Sequence, residues 1–161
     1  LIPAFPFGHG LAYTEFGYSN LLVDADEVSV DVTNVGDRDG VETAQLYLGI
    51  PKFGHCVEPP MQLRGFAKVA LRPGETATVR FALSARDRSI WDTDRHEWSE
   101  VLGLFTVAVG SSSRDRRAVG AFKRSPRRSD SGHTQRNTAS DWHNLGAVNS
   151  AAHYYTVAVQ S

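Results

Sequence analysis

Across 161 residues the sequence holds one cysteine, Cys56, and one methionine, Met61. A single thiol excludes an intrachain disulfide, and without Cys-x-x-Cys or His-x-x-x-His spacing the sequence predicts no metal site. No apolar run approaches the roughly 20 residues that a spanning helix needs, so no membrane partner is expected. There is no Asn-x-Ser/Thr site, and Leu1 follows no initiator Met, basic n-region or cleavage site, so no signal peptide is legible. Localisation stays open between secreted and cytoplasmic. An internal repeat is also lacking, which excludes a propeller or a β-helix.

The composition itself suits a globular protein, at 41% apolar and 10% aromatic. The length suits one domain with a tail, and is too short for a catalytic barrel of about 250 residues plus anything else. The net charge of −1 hides two regimes: residues 1–122 hold 12 Lys/Arg against 16 Asp/Glu, and 123–161 hold 5 against 2. That shift near Phe122 reads as a domain boundary.

The opening Leu1 to Gly10 has prolines at 3 and 6 and glycines at 8 and 10, which forbids a helix and favours an extended connector over 1–17. From Tyr18 the apolar period becomes two. Val28, Val30 and Val32 alternate with polar neighbours, as do Ala44, Leu46 and Leu48, then Ala77, Val79, Phe81 and Leu83, then Phe105, Val107 and Val109. Turns are expected at Asn34 to Gly40 and Arg72 to Glu75, and a loop at Ile50 to Met61. Arg88 to Asp92 and His96 to Ser99 read as a hairpin. About seven short strands and no helical period over 18–122 predict an antiparallel β-sandwich. Its expected core is Val28, Val30, Leu46, Phe66, Val79, Phe81, Trp91, Phe105 and Val107. Beyond it, 123–161 reads as a disordered tail, rich in Arg, Ser and Gly at first, with strand potential at Tyr154 to Val159 and no identifiable partner for it.

Five phrases carry a resemblance. Phe7-Gly8-His9-Gly10-Leu11-Ala12-Tyr13 precedes the first strand; Gln62-Leu63-Arg64-Gly65-Phe66-Ala67-Lys68-Val69, Leu71-Arg72-Pro73-Gly74-Glu75-Thr76, Trp91-Asp92 and Val109-Gly110-Ser111-Ser112-Ser113 follow in register. Together they resemble the C-terminal fibronectin type III-like, immunoglobulin-like module of family 3 glycoside hydrolases of the β-glucosidase type, over about residues 5–122. The resemblance implies an accessory domain whose parent cleaves terminal β-linked glucose with retention. In such enzymes the nucleophile and the acid/base lie upstream, so it implies no catalytic residue here and no cofactor. The implied partners are the upstream catalytic domains, with Phe5, Phe7, Tyr13 and, in the Ile50 to Met61 loop, Phe53 as the contact candidates. β-Linked glucosides are the implied ligands if the domain touches sugar at all.

Several constellations compete with that reading. Asp92, Asp94, Glu97 and Glu100 form the one dense acidic cluster, and glycoside hydrolysis needs two carboxyls at about 5 to 5.5 Å or 6.5 to 9.5 Å. Their place beside a hairpin turn favours turn geometry and edge solubility instead. Ser140-Asp141-Trp142 resembles the family's nucleophile motif, but stands after the module, where no barrel surrounds it. His55 beside Cys56 evokes an activated thiol, although neighbours on an extended chain point to opposite faces. Trp91, Trp98 and Tyr47 would make an aromatic platform for sugar; Trp98 is the candidate binding residue, because Trp91 is expected in the core. Lys123 to Arg128 resembles a nucleic-acid patch, yet lacks aromatic interleaving and follows an acidic domain, so no nucleic-acid partner is expected. A carbohydrate-binding module and a protein-interaction sandwich remain the alternatives to an accessory domain.

Overall fold

The computed structural model describes residues 3–54 and 58–126, and the backbone of 157–160. Among these residues ten strands form: β1 (Phe16–Val23), β2 (Glu27–Asn34), β3 (Gly40–Gly49), β4 (Gln62–Leu71), β5 (Thr76–Ala82), β6 (Ser89–Asp92), β7 (Glu97–Glu100), β8 (Gly103–Gly110), β9 (Arg116–Arg124) and β10 (Val157–Gln160). One sheet has the order β1-β2-β5-β10, the other β4-β3-β8-β9, and β6-β7 is a separate hairpin. Every pairing is antiparallel. There is no α-helix among the described residues. The architecture is the expected fibronectin type III-like sandwich.

The period of two explains the core. Val28 pairs with Phe81, Val30 with Val79 and Val32 with Ala77 across β2 and β5, and all six side chains are fully buried. From the other sheet Leu46 pairs with Val109 and Leu48 with Val107, facing them. Phe105 and Phe122 stack with centroids 4.9 Å apart and close the sandwich at the β8-β9 end. Each such side chain contributes roughly 1.5 to 3 kcal/mol on burial.

Asn34 fastens the turns. Fully buried, it donates from Nδ2 to the carbonyls of Arg38 (2.7 Å) and Leu71 (3.0 Å), and its Oδ1 accepts from Gly36 N (3.1 Å) and Thr14 Oγ1 (2.8 Å). A buried amide so fully satisfied specifies its surroundings. Next to it, Gly74 takes φ +77° in the turn closed by Glu75 N donating to Arg72 O (3.0 Å), the position where Pro-Gly turns require glycine.

Two expected core residues are corrected. Phe66 is 55% exposed, because Gly65, Ala67, Val69 and Leu71 take the inward positions of β4 and leave Phe66 on the outer face. Trp91 is 42% exposed: on the short β6 it is Ile90 that turns inward. Strands β1 to β9 run from Phe16 to Arg124, beside the 18–122 expected. Of the tail, Lys123 and Arg124 continue β9, and Val157–Gln160 pairs along β5 opposite Val79 to Thr76. The remaining tail from 127 to 156 lies outside the described residues, including Ser140-Asp141-Trp142. The same holds for His55 and Cys56.

Candidate functional site

The connector is held where it meets the sandwich. Gln45 of β3 donates from Nε2 to Gly8 O at 3.0 Å and to Ser111 O at 2.5 Å, and the buried Tyr47 hydroxyl donates to Gln45 Oε1 at 2.6 Å. Ser113 N donates to Phe7 O at 3.0 Å. Gly8 adopts φ +78°, and a Cβ there would fall 2.1 Å from Gln45 Oε1, so both the conformation and the close approach require glycine. Around this anchor Phe5, Phe7, Leu11 and Tyr13 stay 67 to 94% exposed. Phe5 stacks on His9 with centroids 5.4 Å apart, its one described ring contact.

Between the connector and the β8-β9 turn lies an open cleft of about 900 Å³ whose lining includes His9, Glu15, Glu42, Arg114, Asp115 and Arg117. Arg117 donates to Phe16 O at 2.5 Å and pairs with Asp115 (Nη2 to Oδ2, 2.9 Å), while Ser111 Oγ donates to the same carboxylate at 2.7 Å. The bonds from Arg117 and Ser111 hold the Asp115 carboxyl below its ordinary range. Burial pushes Glu42 upward, outweighing the Thr43 amide and the Arg117 charge that favour its ionised form. Burial, with Glu42 beside it, raises the Tyr18 phenol far above its usual value. The Tyr18 hydroxyl is buried and makes no hydrogen bond of ordinary geometry among the described residues.

The hairpin presents the other aromatic feature. Trp91 and Trp98 are cross-strand partners, with ring centroids 5.5 Å apart and planes tilted by 58°. Trp98 is 45% exposed, and the Arg86 guanidinium carbon sits 3.1 Å from its ring centroid, so a cation already occupies one face of the indole. Tyr47 is on β3, buried, and no part of this platform. Asp92 is used by the turn, accepting from the amides of Asp94 (3.0 Å) and Arg95 (3.1 Å). Phe53 is half-buried and packs against the core. No group of three or more His, Cys, Asp or Glu side chains suited to a metal occurs among the described residues.

Under the hairpin Arg88 is buried. It donates to Leu83 O (2.8 Å) and Ala25 O (2.5 Å), and pairs with Asp26 (3.1 Å) and Glu100 (3.1 Å). Arg124 reaches Glu100 from β9 at 3.2 Å. Burial opposes the Glu100 charge, but the bonds from Arg88 and Arg124 prevail and hold its carboxyl below the ordinary range. One guanidinium thus ties the β1-β2 turn, the end of β5 and the hairpin together. Sequence reasoning missed Gln45, Arg88 and Arg117. Gln45 is a polar residue between apolar neighbours and Arg88 stands in the polar run Arg86-Asp87-Arg88-Ser89, so only their partners show that they are buried and satisfied.

A family model described as a fibronectin type III-like domain matches residues 42–113. The probable β-glucosidase L of Aspergillus fumigatus is 42% identical over 146 residues, covering 76% of this chain and 20% of its own length. The β-glucosidase cel3A of Pyricularia oryzae is 46% identical over 130 residues, covering 70% of this chain and 16% of its own. Among solved structures, the β-D-glucoside glucohydrolase of Trichoderma reesei superposes with a TM-score of 0.73 at 36% identity, over 78% of this chain and 21% of that one. The GH3 β-glucosidase of Bifidobacterium adolescentis gives a TM-score of 0.69 at 36% identity, over 74% and 18%. The chain spans about a fifth of the length of the curated relatives it matches. By sequence and by fold, residues 42–113 are a fibronectin type III-like domain, and the chain is similar to a part of family 3 β-glucosidases that makes up about a fifth of their length.

Proposed function

We propose that the chain is a non-catalytic accessory domain that stabilises a family 3 β-glucosidase by packing against its catalytic domains. The observation that carries this is the connector: its backbone is fixed to the sandwich at Gly8, while Phe5, Phe7, Leu11 and Tyr13 point away from any described core. Fixing a peptide while leaving four large apolar side chains wet is unfavourable unless a second surface covers them. The relatives, four-fifths of whose length lies outside the match, offer such a surface in the same polypeptide. Hydrolysis of β-linked glucosides then belongs to the parent enzyme, and the carboxylates of the hairpin serve its turn and the Arg88 network.

The test is a chimera. The segment of the Aspergillus fumigatus enzyme that matches this chain is deleted, or replaced by residues 5–124. Replacement is expected to restore soluble yield and turnover of a chromogenic β-glucoside that deletion loses. A chimera no better than the deletion would refute the accessory role.

The half-exposed Trp91-Trp98 pair favours a second reading, a carbohydrate-binding module. In that reading Trp91 carries the stacking, since Arg86 covers a face of Trp98. Calorimetry with soluble β-glucan decides it: binding lost in Trp91→Ala supports the module, and no heat excludes it.

A further inference from the structure

The two outer faces of the sandwich differ in kind. On the β1-β2-β5 sheet the outward pairs are Ser29 with Arg80, Asp31 with Thr78 and Thr33 with Thr76. They are bonded among themselves: Thr78 Oγ1 donates to Asp31 at 2.6 Å, the Thr33 and Thr76 hydroxyls lie 2.8 Å apart, and Arg80 pairs with Glu27 at 3.0 Å. Apart from Leu22, 69% exposed, this face is polar.

The outer face of β4-β3-β8-β9 is not. Cross-strand partners share a face, so Leu63, Tyr47, Ala108 and Val119 form one row across four strands. Phe66, Gln45 and Gly110 form the adjacent row. Leu104 extends the face at one end. Tyr47 and Ala108 are already buried in its middle, while Phe66, Leu104 and Val119 are 55%, 59% and 69% exposed. Lys68, paired with Thr43, and Lys123, paired with Leu104, stand at its edges. An apolar centre with a charged rim is the anatomy of a protein interface. The connector lands on this same face, since the Gln45 that holds Gly8 O belongs to it.

We infer that this face, with Phe66 and Val119 exposed on its two edge strands, is where the domain docks onto the part of the parent polypeptide that precedes the connector. The occupant is a protein surface with an apolar centre and carboxylates opposite Lys68 and Lys123. It is contiguous with the connector, so the exposed connector aromatics and the sheet face form one docking surface. The inference rests on the accessory reading and adds to it the sheet that makes the contact. It also gives the Gln62-Leu63-Arg64-Gly65-Phe66 phrase a role on the surface, where the core has none for Phe66.

The chimera with the Aspergillus fumigatus enzyme tests it through three variants. Phe66→Asp with Val119→Asp strikes the docking face; Leu22→Asp, an exposed apolar residue paired with Ser29 on the opposite face, is the control. The free chain carrying the double substitution is expected to melt within a few degrees of the parent chain, while the chimera loses at least ten-fold in active yield. The Leu22→Asp chimera is expected to match the unsubstituted one. If the double substitution unfolds the free chain, Leu104→Asp takes its place with the same expectation. A double variant as active as the unsubstituted chimera overturns the docking face and leaves the accessory role standing; an unsubstituted chimera no better than the deletion removes both. Dimerisation of the free chain through Phe66, with chimera activity insensitive to the substitutions, would assign the face to a second copy and overturn the inference.

Discussion

Gln45 and Gly8, 37 residues apart, are joined by a hydrogen bond of 3.0 Å that seats the connector on the sheet, and the Tyr47 hydroxyl fixes the orientation of the glutamine from behind at 2.6 Å. The carboxamide is used on both sides, as donor to two carbonyls and acceptor from a phenol. The direction in which the chain enters the sandwich is therefore set by a buried network rather than by the prolines alone.

Substituting Gly8 by Ala combines the left-handed backbone cost, about 1 to 2 kcal/mol, with a clash against Gln45 Oε1. The connector is expected to detach while the sandwich keeps its melting temperature. Limited proteolysis and hydrogen exchange would show faster cleavage and loss of protection at residues 5–13, with the strands unchanged.

Phe81 and Phe66 are the same residue type on opposite sides of their sheets. Phe81→Ala is expected to cost about 3 to 5 kcal/mol, and Phe66→Ala in the free chain under about 1 kcal/mol, because only the first leaves a cavity. Urea denaturation of the two variants measures both. Equal losses would mean that Phe66 is core after all.

That pair also marks how far the sequence was legible. The strands were plain where alternation runs unbroken, as in Ala77, Val79, Phe81 and Leu83, and the sandwich follows from their number and spacing. Phe66 was misread on its size and apolar character, although Ala67, Val69 and Leu71 carry the inward parity of β4 and place it outside; the register shift between Leu46 and Tyr47 turns Leu63, and not Phe66, to the outer face. Trp91 was misread because a family phrase identifies a residue and not the side it faces. At the site, the extended course of the connector was legible in its prolines and glycines. The anchor was not, since Gln45 in a strand reads as an ordinary polar position until its partners 37 and 66 residues away are known.

Arg88 has two backbone carbonyls and two carboxylates as partners in a buried site, and removing one side of such a network typically costs 3 to 5 kcal/mol. Arg88→Ala is expected to melt far below the parent chain. Glu100→Gln is expected to be milder and pH-dependent. Because the folded state holds Glu100 below its ordinary value of 4.5, its contribution is present above that pH and lost as pH falls through the folded value. The gap in melting temperature between Glu100→Gln and the parent chain should therefore close in acid. A gap independent of pH would contradict the network.

Glu42 behaves with the opposite sign. Burial raises its carboxyl above 4.5, so the folded state binds the proton more tightly than the unfolded one, and the associated stability is full below 4.5 and lost as pH rises through the folded value. Glu42→Gln, which is neutral throughout, is expected to gain on the parent chain in melting temperature as pH rises from 4 to 7. A constant difference over that range would show that the carboxyl is not perturbed.

The most direct test of the account is turnover of a chromogenic β-glucoside by the purified chain, alone and after addition to a family 3 β-glucosidase truncated before its own fibronectin type III-like domain. The account predicts no turnover by the chain alone and recovery of the truncated enzyme's activity when the chain is added. Turnover by the chain alone, abolished by Asp141→Asn, would contradict it and locate a catalytic site in this polypeptide.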